Sequence, residues 1–155
     1  MFAQACFQRN YTVVTVYSTL GKEAVAIALA QSEVTTILVN EEDLISEKEK
    51  EEPRSLYVFE KCNKITHVIY KPRFPHDPER IKKQLLEPLN AYRRQTGNKE
   101  LQILSFDEVV ALGEQVSASD KNYQVVRKAT PTDLAFIMYT SGTTGFFQLF
   151  FSFFF

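Results

Sequence analysis

Only two cysteines, Cys6 and Cys62, stand in the chain. Two thiols cannot make a disulfide framework, and they match no metal-ligand spacing, which points to a reducing compartment. Charge of one sign is also missing. Eighteen basic residues oppose nineteen acidic ones, for a net charge of −1. That balance gives no basic field for nucleic acid and no acidic excess for cations. No signal peptide is visible, because the apolar run before Arg9 is too short and its charge follows that run. The 22 residues from Leu134 to Phe155 carry no charge. They still do not read as a membrane span. The polar run Thr140 to Gly145 would break the helix inside the bilayer, and the phenylalanine tail alone is about half the needed length.

What is present suits one globular domain. Hydrophobic residues make up 45% and charged residues 24% of 155 positions, which excludes intrinsic disorder. Residues 2–9 suit a short helix closed by Asn10. "YTVVTVY", Tyr11 to Tyr17, is a strand. "GKEAVAIALAQSE" from Gly21 is a helix, and "TTILV", Thr35 to Val39, is another strand. Strand, helix, strand at this spacing predicts a βαβ unit and a parallel sheet. Glu41 to Glu52 reads as a solvated helix stopping before Pro53. Residues 54–62 stay ambiguous. "THVIY", Thr66 to Tyr70, is a third strand.

Asp77 with Pro78 predicts a helix start, the side chain as cap and the ring at the first position. That helix runs towards Gly97 and bends or breaks near Pro88. Ser105 to Glu108 fits a capping box, with Gly113 as the matching stop. "DLAFIMY", Asp133 to Tyr139, is apolar nearly throughout, as a central strand covered on both faces would be. The fold class expected is α/β, a mostly parallel sheet with covering helices.

The strand at 133–139 runs into Thr140-Ser141-Gly142-Thr143-Thr144-Gly145. Glycines let backbone N–H groups approach an anion, the hydroxyls add donors, and several such groups in one concavity make an anion nest. No Gly-Lys-Ser/Thr follows, so this is no Walker A loop, and the dinucleotide fingerprint is absent. On spacing alone, a polar turn between two strands is an equal reading. His67 and His76 have no catalytic partner at a useful spacing and read as structural or surface histidines. Lysines flanking Cys62 would lower its pKa, though a bystander thiol is the plainer reading. Lys82-Lys83 and Arg93-Arg94 give one helix a basic face, solvated or resting on anionic lipid.

"FIMYTSGTTG" resembles the phosphate-loop signature of the AMP-forming adenylating enzymes, the superfamily of acyl-CoA synthetases, luciferases and peptide synthetases. Ala5 to Asn40 and Pro131 to Gly145 resemble its long-chain fatty acyl-CoA synthetase branch, with residues 41–130 as the variable stretch between. "SFDEVVALGE" is similar to the helix that precedes the phosphate loop there. The resemblance implies residues 1–145 as an incomplete N-terminal adenylation domain. It implies ATP, Mg2+ on the nucleotide phosphates, a long-chain fatty acid and coenzyme A as partners. Thr140, Ser141, Gly142, Thr143, Thr144 and Gly145 would then grip the β- and γ-phosphates. By the same resemblance the protein would work on the cytoplasmic face of the endoplasmic reticulum or another organelle membrane.

The pattern departs after Gly145. Family members continue with Pro-Lys-Gly, and here Phe146-Phe147-Gln148-Leu149 stand instead. Seven of the ten residues from Phe146 to Phe155 are phenylalanine. Residues 146–155 are therefore expected to be an aberrant tail outside the family fold, in keeping with translated intron or a misread gene model. Without the loop lysine and the downstream motifs, the chain is expected to be inactive by itself, with exposed sheet edges prone to aggregation. Two other functions fit the same residues: a non-catalytic regulator of the intact enzyme, and a membrane-tethered interaction module anchored by the tail.

Overall fold

The computed structural model describes residues 2–17, 19–46, 52–119, 128–140 and 148–153. They form an α/β protein, as expected, in two compact units. One unit takes both ends of the chain, through Thr19 and again from Asp120. The other takes Leu20–Ser119.

In the first unit, α1 (Phe2–Gln8) leads to β1 (Val13–Thr15). Asn10 between them has φ 55°, a left-handed conformation that asparagine tolerates better than most residues, and it ends α1 as its position predicts. β1 pairs parallel with β5 (Leu134–Thr140), Val13 opposite Phe136 and Thr15 opposite Met138. β5 pairs antiparallel with β6 (Gln148–Phe153), for a strand order of β1-β5-β6. β5 is thus central in order, but it is not covered on both faces. Ala135 and Tyr139 are buried, while Met138 is 41% exposed. The tail supplies a strand despite its low complexity.

The second unit holds a parallel sheet of order β2-β3-β4, from β2 (Thr36–Asn40), β3 (His67–Lys71) and β4 (Gln102–Ser105). β1 and β2 therefore belong to different sheets. The helix between them, α2 (Lys22–Ser32), joins two sheets instead of completing a βαβ unit. β4 has no signal of its own in the sequence. It is four residues long and runs straight into the next helix. Buried Asn90 secures its approach. The amide donates to Leu101 O at 3.0 Å and its oxygen accepts from Leu101 N–H at 2.7 Å, so one side chain imitates a strand partner.

The ambiguous stretch is a helix, α3 (Arg54–Lys61), and it buries Ser55, Val58 and Phe59. Glu41–Asp43 is a single 3-10 turn, and Glu41 in it is buried, not solvated. Residues 47–51 of the expected charged helix lie outside the described residues.

The helix after Asp77 begins as its residues predict. Asp77 accepts from Arg80 N–H at 3.1 Å, and Pro78 is its first residue. It does not break at Pro88. α4 (Pro78–Ile81) passes through a π-helical stretch, Lys82–Leu86, into α5 (Glu87–Gln95). The wider turn precedes the proline, and Glu87 N–H reaches back five residues to Lys82 O. A wide turn absorbs the missing donor and the ring bulk that a regular turn would not. Ile81, Leu85 and Leu89 bury themselves along this helix.

The capping box is formed in full. Ser105 N–H donates to Glu108 Oε2 at 2.7 Å, and Glu108 N–H donates back to Ser105 Oγ at 3.2 Å. Gly113 does not stop the helix. α6 runs from Phe106 to Ser119, and Gly113 carries no positive φ. A Cβ built there meets nothing within 4 Å. Gly113→Ala is therefore expected to stabilise the unit by about 0.5–1 kcal/mol, read as a raised urea midpoint. An unchanged or lowered midpoint would show that α6 needs the glycine.

Candidate functional site: the strand to the phosphate loop and a buried carboxylate clasp

The start of β5 is tied down by side chains. Asp133 Oδ2 accepts from Thr130 N–H at 2.8 Å, from Thr130 Oγ1 at 2.9 Å and from Asn10 Nδ2 at 3.0 Å. Thr12 Oγ1 donates to Leu134 O at 2.8 Å. Phe7 of α1 meets Phe136 of β5 edge-on, with ring centroids 4.9 Å apart. These contacts hold the strand in register with β1 and set where its carboxyl end emerges. That end is Thr140, paired with Gln148 across the β5–β6 ladder. Ser141, Gly142, Thr143, Thr144 and Gly145 lie outside the described residues. Of the six loop residues, then, the structure places the backbone of Thr140 alone.

The placement matters because of strand direction. In open sheets with parallel strands, ligands bind beyond the carboxyl ends of the strands. β5 lies parallel to β1 and delivers Thr140-Ser141-Gly142-Thr143-Thr144-Gly145 from its carboxyl end. A phosphate-binding loop needs that arrangement. Residues 1–146 match the model of the AMP-binding enzyme family.

The chain belongs to the AMP-binding enzyme family.

The match ends one residue past Gly145, where the phenylalanines begin. The structure is also similar to the crystal structure of the adenylation (A) domain of the carboxylate reductase from Mycobacterium chelonae, with a TM-score of 0.60. Sequence identity is 15%, and the similarity covers 91% of this chain and 19% of that one. At that identity the likeness is one of fold.

The second unit holds a cluster that no sequence motif announced. β2, β3 and β4 are parallel, and just past their carboxyl ends Glu41 sits 4% exposed. Its Oε2 accepts from Arg73 N–H at 2.7 Å and pairs with His76 Nδ1 at 3.0 Å. Its Oε1 accepts from Asp77 N–H at 3.3 Å. His76 Nε2 lies 3.2 Å from Tyr70 Oη. An ionised carboxylate only accepts, so His76 Nδ1 donates to Glu41. Burial pushes Glu41 up, but the bonds from Arg73, His76 and Asp77 outweigh it and its pKa is lowered. Burial, then the charges of Glu108 and Glu41, raise Tyr70. Hydrogen bonds from the Ser105 backbone and hydroxyl lower Glu108.

This chain of Tyr70, His76 and Glu41 clamps residues 72–77 onto the turn after β2. Tyr70 is 4% exposed, so its hydroxyl is closed to substrate. The signal in the sequence was a carboxylate directly after a strand, and the surrounding charge run hid it.

Cys62 is no activated thiol. It is buried, its Sγ lies 3.3 Å from Ala26 O, and burial raises its pKa despite the charge of Arg93. His67 is exposed at the start of β3 and its Nδ1 meets Thr66 Oγ1 at 2.9 Å. The two arginines of α5 differ. Arg94 pairs at the surface with Glu100, whereas Arg93 is buried, so half of the expected basic pair faces inward. Among the described residues no helix is long and apolar enough to cross a membrane.

Proposed function

We propose that this chain is the phosphate-loop portion of a long-chain fatty acid:CoA ligase. One observation carries the reading: a central strand, parallel to β1 and tied at its start, runs directly into Thr-Ser-Gly-Thr-Thr-Gly in a member of the AMP-binding enzyme family. The long-chain preference rests on Ala5–Asn40 and Pro131–Gly145, the stretches that resemble that branch.

The reaction runs in two steps. The carboxylate of a fatty acid attacks the α-phosphorus of ATP, an acyl-adenylate forms and pyrophosphate leaves. The thiol of coenzyme A then attacks the acyl carbon, the thioester forms and AMP leaves. Thr140, Ser141, Thr143 and Thr144 would offer hydroxyls to the β- and γ-phosphates, and Gly142 and Gly145 would bring backbone N–H groups close. Mg2+, when bound, would neutralise charge on the same phosphates. No lysine follows Gly145, so the loop lacks a fixed cation for the leaving pyrophosphate. By this reading the 155-residue chain binds a polyphosphate but does not form acyl-CoA by itself.

Thermal unfolding with ATP, inorganic pyrophosphate and adenosine tests the proposal. ATP and pyrophosphate should each raise the midpoint, and adenosine should not. At ligand a hundredfold above Kd the stabilisation is about 2.7 kcal/mol. The double substitution Thr143→Ala with Thr144→Ala should abolish the shift. Equal shifts with adenosine, or none with ATP at millimolar concentration, would overturn the phosphate-loop role.

A further inference from the structure

We propose that residues 72–77 are an acid-released strap, a segment that Glu41 holds closed and that opens without unfolding the second unit. The strap joins β3 to α4, and it is fixed on either side by Tyr70 and Ile81, 4% and 3% exposed. Between those two residues nothing is buried. The one large apolar side chain of the strap, Phe74, is 96% exposed. The strap therefore has no hydrophobic anchor. A segment with few buried apolar contacts opens locally at less cost than the core beside it.

Its hold is polar and converges on one side chain. The N–H groups of Arg73 and Asp77 and the ring Nδ1 of His76 reach the two oxygens of Glu41, at 2.7, 3.3 and 3.0 Å. These donors stand towards both ends of the strap, so one proton on the carboxylate weakens all three bonds together. Among the described residues, the other charged and titratable groups here come from three elements. Glu42, on the turn of Glu41, adjoins the Arg73 guanidinium at 3.9 Å. Tyr70 stands on β3, and Glu108 of α6 lies within the field of Tyr70 and His76. The Asp77 carboxylate is turned to Arg80 N–H. Burial raises Glu41, the bonds from Arg73, His76 and Asp77 outweigh it, and its pKa is lowered. Its ionised form therefore favours the closed strap. That contribution is complete above the open-state value and is lost as pH falls through the lower closed-state value. Opening uncovers Glu41 past the carboxyl ends of the parallel strands β2 and β3, the side of such a sheet where ligands bind.

Amide hydrogen exchange of the full chain, read at each residue as a protection factor between pH 7 and pH 3, is the test. Protection at Arg73 and Asp77 should be lost together as pH falls from about 5 to 3, while Val68, Ile69 and Tyr70 in β3 stay protected. Glu41→Gln at pH 7 should lower protection at both strap amides by about tenfold or more, again with β3 still protected. His76→Gln should keep both strap amides protected at pH 7, because the two backbone bonds to Glu41 remain. Strap amides whose protection equals that of β3 at every pH would overturn the proposal, since opening would then be unfolding. So would a strap still protected at pH 3, a Glu41→Gln strap as protected as the wild type, or a His76→Gln strap already open at pH 7. Wild-type loss complete by pH 6 would place the switch on an imidazole and overturn it equally.

Discussion

Arg93→Met is expected to cost the second unit about 3 kcal/mol of folding free energy. Arg93 is 1% exposed and has no carboxylate partner among the described residues. Its charge is met by backbone carbonyls instead. Nη1 donates to Ile65 O at 2.6 Å and Lys99 O at 3.1 Å, and Nη2 donates to Phe59 O at 3.0 Å and Cys62 O at 3.3 Å. Phe59 and Cys62 are at the carboxyl end of α3, where carbonyls lack helical partners and a cation is favoured. Ile65 precedes β3 and Lys99 precedes β4, so one guanidinium ties a helix end to the approaches of two strands. Burial lowers its pKa, with the Cys62 sulfur opposing that shift, and the group stays charged as arginine does.

Methionine matches the stem in bulk and strips four acceptors at once. Several kcal/mol of lost bonds, partly offset by the end of a buried charge, leave the figure near 3. Arg93→Lys should cost nearly as much, because a point charge on a thin stem cannot span four carbonyls. Urea unfolding with an unchanged m-value checks both. A loss under about 1 kcal/mol for the methionine variant would mean that those carbonyls find water or new partners.

Glu41→Gln is expected to cost about 2 kcal/mol at neutral pH, and the cost should fade in acid. The glutamine keeps one acceptor oxygen and turns an NH2 towards donors it cannot satisfy, the N–H groups of Arg73 and Asp77 or His76 Nδ1. The sign of the pH effect follows from the direction of the shift. The folded-state pKa of Glu41 is lowered. Its contribution is therefore complete above the unfolded value of about 4.3 and is lost as pH falls through the lower folded value. The gap between wild type and variant should hold constant from pH 7 to about 5 and close below about 4. Urea midpoints across that range decide it. A gap that persists undiminished at pH 3, or widens there, would show that Glu41 is not the ionised acceptor described.

How far these features were legible depends on their range. Asn10, the Asp77-Pro78 start and the Ser105–Glu108 box were readable because each is set by local backbone conformation or by a bond between near neighbours. Gly113 misled for the same reason. A glycine seven residues into a capped helix suits a stop by itself, but α6 continues past it. Pro88 predicted a bend or a break, and the helix instead continues past it through a π-helical stretch. β4 could not be read, since its partner β3 lies more than thirty residues away and its register depends on Asn90. Glu41 and Arg93 were read as surface charges because burial is a property of what the rest of the chain brings alongside.

The sequence by itself determined the α/β class, most helices and strands, and the family. Those depend on hydrophobic period, turn chemistry and a contiguous motif, all written within a few residues. Only the tertiary structure decided that β1 and β2 enter different sheets, that β6 closes against β5, and that Glu41 and Arg93 hold the second unit from inside. Each is a choice of partner among residues distant in the chain. Partner choice is settled by which backbone groups and charges must be satisfied once water is excluded.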